Sequence, residues 1–261
     1  MKPILFYIDS RGIPSYFIFV TIGIIAGFVL CLILAKKQKL NIAETAAFLI
    51  FLLVVSLLGA KLYIIISNLS FFIKNPNTIW SVFKAGGVFY GGLIVGILFS
   101  LWYTRLFKIN FKRLADVLAA PAALGHSIGR IGCFLGGCCY GSLCNLPWAV
   151  KFPGHSFPVH PTQIYESILN FFNFIFLLVM FKKRKFDGQV FLLYLINYSM
   201  IRFVIEFFRG DPERGNLILF PNAPSLNPTI PQIISMIIFL ISILSYRKLR
   251  KQSPRSTITP E

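Results

Sequence analysis

Seven stretches of roughly 20 residues, each dominated by Leu, Ile, Phe and Val, run almost end to end through this chain and leave only short polar gaps. That length is what an α-helix needs to cross the ~30 Å hydrocarbon core of a bilayer. The spans are expected within a few residues of 14–35, 43–66, 87–107, 114–134, 164–181, 189–208 and 229–246. With 56% hydrophobic and only 13% charged residues over 261 positions, the chain lacks the polar surface that a water-soluble core would require. The fold class that follows is all-α, a polytopic membrane helical bundle. Residues 1–250 are expected to form one membrane domain and 251–261 a disordered cytoplasmic tail. The start, MKPILFYIDSRGIPSYF, has no basic stretch leading into an apolar run with a small-residue cleavage site, so no cleaved signal peptide is read there. No internal repeat is visible.

Charge sets the orientation. The net charge of +17 does not point to nucleic acid, because the basic residues sit in short clusters between apolar runs; anionic lipid headgroups are the expected partner. Lys36, Lys37 and Lys39 follow span one, and Arg105, Lys108, Lys112 and Arg113 join spans three and four. Lys182 to Lys185 follow span five, and Arg247, Lys248, Arg250 and Lys251 follow span seven. These are alternate gaps, so the positive-inside rule predicts an N-terminus outside and a C-terminus in the cytoplasm.

Ionisable residues within spans are expensive in lipid and are functional candidates by default. In the predicted topology span four runs outward, and at about 1.5 Å per residue Arg130 lies roughly 25 Å from Arg113, near the outer surface. Arg202, Glu206 and Arg209 fall in the outer third of span six, Tyr165 and Glu166 at the outer start of span five, and Tyr16, Lys61 and Tyr90 at outer span ends. Spaced i, i+4 and i+7, the first three share one helix face, so Glu206 can pair with either arginine and leave the other for an oxyanion or phosphate. The competing reading is a structural Arg202–Glu206 pair, with Arg130 and Arg209 reaching to the interface. Asp116, at the cytoplasmic end, is expected to pair with Lys112 or Arg113.

From Gly125 to Gly141 the sequence GHSIGRIGCFLGGCCYG surrounds Arg130 with glycine. Such spacing permits close helix packing; it also lets a bulky headgroup approach the arginine and offers amide donors where the helix breaks. Cys133, Cys138, Cys139 and Cys144 lie in or next to it, with His126, His155 and His160 around. No CxxC pair is present and C-x4-C-C-x4-C matches no usual zinc spacing, so neither a metal nor another cofactor is expected. Free buried thiols and a disulfide such as Cys139–Cys144 both remain open.

Four segments in order resemble the prolipoprotein diacylglyceryl transferase family: GGVFYGGLIVG at Gly86–Gly96, GRIGCFLGGCCYG at Gly129–Gly141, HPTQIYE at His160–Glu166, and RFVIEFFRGD at Arg202–Asp211. With Tyr16 and the seven-span topology, the resemblance covers nearly the whole chain. It implies an enzyme of the bacterial cytoplasmic (inner) membrane, multi-pass, with its active site toward the outer face. The implied reaction is the first step of lipoprotein maturation: transfer of the diacylglyceryl group of phosphatidylglycerol to the lipobox cysteine of a prolipoprotein signal peptide, forming a thioether and releasing glycerol phosphate. Carried onto this sequence, it implies catalytic roles for Arg130, Arg202, Glu206, His126 and Tyr90. It implies substrate-binding roles for Arg130, Arg202, Arg209, Tyr16, Gly141, Glu166 and Tyr198.

The signature departs from the family where Cys133, Gly136 and Cys138 replace Asn, Asn and Glu, and where Tyr90 replaces His. A phenol titrates near 10 and is a poorer base than imidazole at neutral pH; His126, one turn before Arg130, is the candidate to compensate. A paralogue using another acceptor and a membrane thiol-disulfide oxidoreductase are the competing functions. A transporter is disfavoured by the off-centre charges and the lack of repeats.

Overall fold

The computed structural model describes residues 2–8, 11–84, 87–153, 156–210 and 227–252. Among them, seven helices are long and apolar enough to cross a membrane: α1 (Ser15–Lys37), α2 (Ile42–Ser67), α5 (Phe89–Leu106), α6 (Phe111–Gly136), α7 (Thr162–Lys182), α8 (Gln189–Glu206) and α9 (Ile230–Gln252). All seven predicted spans are present, with ends shifted by a few residues. Ahead of α1 lies an antiparallel hairpin, β1 (Ile4–Ile8) and β2 (Arg11–Pro14). Between α2 and α5 lie two short helices, α3 (Leu69–Lys74) and α4 (Ile79–Lys84). Of the predicted tail, Lys251 and Gln252 close α9, and 253–261 lie outside the described residues.

The chain divides into two compact units, Met1–Cys31 with Ala115–Glu261, and Leu32–Leu114. In the smaller unit α2 packs on α5 through small residues: a Cβ added at Gly91 would stand 2.5 Å from the Gly59 carbonyl oxygen, so the backbones touch. Asn41 caps α2, its Oδ1 accepting from the Ala43 and Glu44 amides while its Nδ2 donates to Glu44. Lys61 donates from Nζ to the Val82 carbonyl at 2.9 Å, which ties α2 to the end of α4.

In the larger unit α6 crosses α1 just as closely. A Cβ at Gly23 would meet the Gly125 carbonyl oxygen at 2.8 Å, and one at Gly27 the Pro121 carbonyl oxygen at 3.3 Å. The glycine-rich part of α6 therefore stays helical because α1 packs against it, and regular helix ends only at Gly136. Helix α7 is polar toward the protein and apolar outward. Thr162, Glu166, Asn170 and Asn173 recur at helical spacing and are buried, while Ile168, Phe172 and Ile175 are exposed. An apolar surface of that kind suits lipid and would be a liability in water.

Several buried polar groups pair across helices. Ser127 Oγ donates to the Ser167 carbonyl and Ser167 Oγ to the Ser127 carbonyl, both at 2.8 Å, and Asn197 Nδ2 donates to Asn173 Oδ1. Asp116 does not pair with Lys112 or Arg113 as expected. Its two oxygens accept from the Gly188 and Phe191 amides at 2.8 and 2.9 Å. A fully buried carboxylate thus caps the N-terminus of α8, where the helix dipole favours negative charge.

Candidate active site

Arg130 lies two turns before the end of α6, and Glu166 lies on the second turn of α7. Glu166 is fully buried; its Oε1 accepts from Arg130 Nη2 at 3.0 Å, and its Oε2 lies 2.9 Å from the same nitrogen as an ion pair. His126, one turn back on α6, places Nε2 3.2 Å from Arg130 Nε and 3.1 Å from Glu166 Oε1. That nitrogen serves one neighbour at a time: unprotonated it accepts from Arg130, and protonated it donates to Glu166. Tyr198 of α8 packs its ring 5.3 Å from the imidazole and stacks on Tyr194. Four of the residues singled out in the sequence therefore form one cluster.

A second pair stands at the end of α8. Arg202 Nη2 forms an ion pair with Glu206 Oε2 at 3.0 Å, the expected i, i+4 contact, and Thr229 Oγ1 donates to Glu206 Oε1. Arg202 Nη1 is a buried donor with no hydrogen-bond partner among the described residues, a condition that favours an added oxyanion. Arg202 is also among the charges that act on Glu166, after Arg130 and His126.

Gly141 and Arg209 are joined by the backbone. They form an antiparallel bridge, Ser142 donates from N to the Phe208 carbonyl, and Gly141 donates from N to the His160 carbonyl. A Cβ at Gly141 would meet His160 Cβ at 2.6 Å and Thr162 Cγ2 at 2.8 Å. The glycine thus holds together the exit of α6, the entry of α7 and the exit of α8. Tyr165 accepts from Trp148 Nε1 at 2.7 Å and stands beside His160 and Phe208.

The cysteines are gathered in a way their spacing had argued against. The Sγ atoms of Cys133, Cys138 and Cys139 all lie within 4.8 Å of one another. Two left-handed residues, Gly137 (φ 73°) and Cys139 (φ 62°), fold the chain back onto α6. Gln163 Nε2 donates to the Cys138 carbonyl at 2.6 Å and Thr162 Oγ1 to that of Cys139 at 3.0 Å. Cys139 accepts hydrogen bonds from Cys133 and Cys138 and feels the Arg209 and Arg130 charges, which hold its thiol well below the usual range. Cys138, whose Sγ donates to the Cys133 carbonyl at 3.7 Å, is pushed up by its contacts with Cys133 and Cys139. Cys144 is a free thiol outside the trio, so the possible Cys139–Cys144 disulfide is not formed.

Tyr16, at the first turn of α1, lies against the glycine face of α6: a Cβ at Gly132 would be 3.3 Å from Tyr16 Cα. Its electrostatic neighbours are Arg130 and the three clustered cysteines. A Cβ at Gly129 would meet nothing within 4 Å, so the α6 surface next to Arg130 is open. Tyr90 belongs to the smaller unit, in the first turn of α5, with its ring against Phe89. Gly86, His155 and Asp211 lie outside the described residues. Between α8 and α9 an apolar cavity of about 390 Å³ is lined by residues including Met200, Phe203, Ser235 and Phe239.

Thr229, Ser127, Ser167 and Asn170 were not read from the sequence as site residues, although the helical recurrence of polar groups in α7 was a signal that its inner face is polar.

A family model described as prolipoprotein diacylglyceryl transferase matches residues 3–247. Relatives named phosphatidylglycerol–prolipoprotein diacylglyceryl transferase include one from Clostridium tetani, 34% identical over 259 residues that cover 97% of this chain and 100% of the relative. One from Clostridioides difficile is 35% identical over 254 residues, 97% of each chain. One from Geobacter sulfurreducens is 31% identical over 248 residues, 93% of each.

Proposed function

The chain belongs to the prolipoprotein diacylglyceryl transferase family, and from that premise we propose that it transfers the diacylglyceryl group of phosphatidylglycerol to the lipobox cysteine of prolipoproteins. The observation that carries this reading is the buried Glu166 paired with Arg130, together with an Arg202 whose buried Nη1 has no hydrogen-bond partner among the described residues. The acceptor sulfur attacks the glyceryl CH2 that bears the phosphate. A C–S bond forms, the C–O bond breaks, the electron pair leaves with the phosphate as glycerol phosphate, and the thiol proton goes to a base. Negative charge grows on the phosphate as the bond breaks, so guanidinium donors aimed at it stabilise the transition state more than the ground state.

Arg130 and Arg202 are assigned to the phosphate, with Arg209 a further cation at the rim. Glu166 and Glu206 orient the guanidinium groups. His126 is the candidate to relay the proton within the Arg130–Glu166 pair, and Tyr90 is carried as a second candidate. Tyr16 and Tyr198 line the pocket, and Gly141 acts by holding the loops that position the rest. The open face at Gly129 suits the approach of a headgroup, and the apolar cavity between α8 and α9 suits an acyl chain. In this reading residues 1–250 are one working domain in the bacterial inner membrane, N-terminus outside, with the site toward the outer face where a signal peptide is presented.

The test uses membranes containing the protein, phosphatidylglycerol with labelled acyl chains, and a lipobox peptide. Thioether-linked label on the peptide is expected, and Arg130→Gln or Arg202→Gln should abolish it. No transfer by the wild type beside an active relative would overturn the assignment.

A further inference from the structure

The phosphate site leaves three thiols without a role. We propose that Cys133, Cys138 and Cys139 bind one d10 metal ion of the zinc class, with a fourth coordination position open to the acceptor thiol. The second half of this proposal rests on the transfer reading above; the first half does not.

Geometry is the main argument. A metal–sulfur distance of about 2.3 Å separates the sulfurs of a trigonal or tetrahedral site by about 3.8–4.0 Å. The three Sγ atoms already lie within 4.8 Å of one another, so closing on an ion needs side-chain movements of under about 1 Å. The arrangement also exceeds what a disulfide would use, since joining any two of the sulfurs would leave the third unemployed.

The backbone is a second, independent argument. Cys139 is held at φ 62°, a conformation rarely adopted by residues other than glycine and maintained only where surrounding contacts determine it. Those contacts are present. Cys138 donates from N to the Cys133 carbonyl at 3.2 Å, and Gln163 and Thr162, both fully buried, hold the next two carbonyls from the start of α7. Donors pre-set on a braced turn are what a metal site requires.

Charge balance is consistent with this. Binding follows M²⁺ + 3 RSH → [M(SR)₃]⁻ + 3 H⁺, and the anion formed would stand beside Arg130 and Arg209, electrostatic neighbours of Cys139. Three protein ligands and one exchangeable position are the pattern of zinc sites that act on a bound group. An acceptor thiol entering that position loses its proton to solvent and becomes a thiolate at neutral pH. It then attacks the glyceryl carbon, and the thioether produced, a weaker ligand, leaves. The metal is neither oxidised nor reduced. Such a site would supply the thiolate even while His126 Nε2 is occupied by Arg130 or by Glu166.

The test begins with the full-length protein purified in detergent without chelator. Elemental analysis should find about one zinc per chain. Chelation followed by Co²⁺ should give the intense thiolate-to-cobalt charge-transfer band. The band should be lost in the Cys133→Ser, Cys138→Ser and Cys139→Ser triple variant and kept in Cys144→Ser. Failure of the reduced wild type to bind either ion, or peptide mapping of a Cys133–Cys138 disulfide in the active protein, would overturn the site. A triple variant that misfolds does not weaken the test, because chelation and reconstitution are read on the wild type. Transfer to the lipobox peptide should fall at least tenfold on chelation and return with Zn²⁺. Unchanged transfer after verified metal removal would overturn the acceptor role. No transfer by zinc-loaded protein beside an active relative would overturn the transfer reading and the acceptor role together, while the cobalt band would still support the metal site.

Discussion

Replacing Glu166 by Gln separates a positioning role from a merely structural ion pair. The carboxylate has no exposed surface and makes three contacts: two to Arg130 Nη2, at 3.0 and 2.9 Å, and one to His126 Nε2 at 3.1 Å. Glutamine has the same volume but only one acceptor oxygen, and its NH2 would face either a guanidinium or an imidazole N–H. At least one charge-assisted bond is lost, worth about 1.5–3 kcal/mol, and a buried guanidinium is left uncompensated, which places the total near 3 kcal/mol, the lower end for breaking a buried pair.

If Arg130 must be held in one geometry to meet the phosphate, that loss appears in the transition state, and 1.36 kcal/mol per tenfold makes kcat fall about a hundredfold. The assay is transfer of labelled diacylglyceryl to a lipobox peptide at saturating phosphatidylglycerol, with folded protein counted by its thermal transition in detergent. Glu166→Asp, which keeps the charge one methylene shorter, should recover part of the rate. The reasoning is refuted if Glu166→Gln is folded and turns over within threefold of wild type while Arg130→Gln is dead. Arg130 would then need no buried partner to work.

Three further outcomes follow from particular contacts. Asp116→Asn keeps one acceptor for the two amides it caps and presents an NH2 to the other, so stability should drop by about 2 kcal/mol and the thermal midpoint by several degrees; an unchanged melting curve would contradict the capping role. Gly132→Ala places a Cβ 2.9 Å from Phe19 Cβ and 3.2 Å from the Tyr16 carbonyl oxygen, whereas Gly129→Ala meets nothing within 4 Å. The first should lower the melting temperature; the second should leave it unchanged and raise KM for phosphatidylglycerol if headgroups pass that face, and equal KM values in Gly129→Ala and wild type would remove that role. Ser235→Phe puts a ring into the cavity between α8 and α9, and should slow transfer from long-chain donors more than from short-chain ones; equal slowing would mean that no acyl chain lies there.

The parts of the molecule readable from sequence are those governed by local rules. Seven spans were legible because hydrophobic length alone sets them, and the Arg202–Glu206 contact was legible because both residues sit on one helix four apart. What escaped depends on partners distant in the chain. Asp116 was read against its neighbours Lys112 and Arg113, yet its partners are amides 72 and 75 residues away. The Arg130–Glu166 pair spans 36 residues, and no local rule brings two such distant residues into contact. The cysteine trio escaped for another reason. Zinc spacing rules describe ligands presented by regular loops, whereas here two left-handed residues in three turn the chain back on its own helix, and buried side chains from α7 hold it there. A conformation so costly at Cys139 is not written in the local sequence, because it exists only while Thr162 and Gln163 are docked. The thiol cluster and the proposed phosphate site therefore share one support, the first two turns of α7, and loosening that segment should disturb both together.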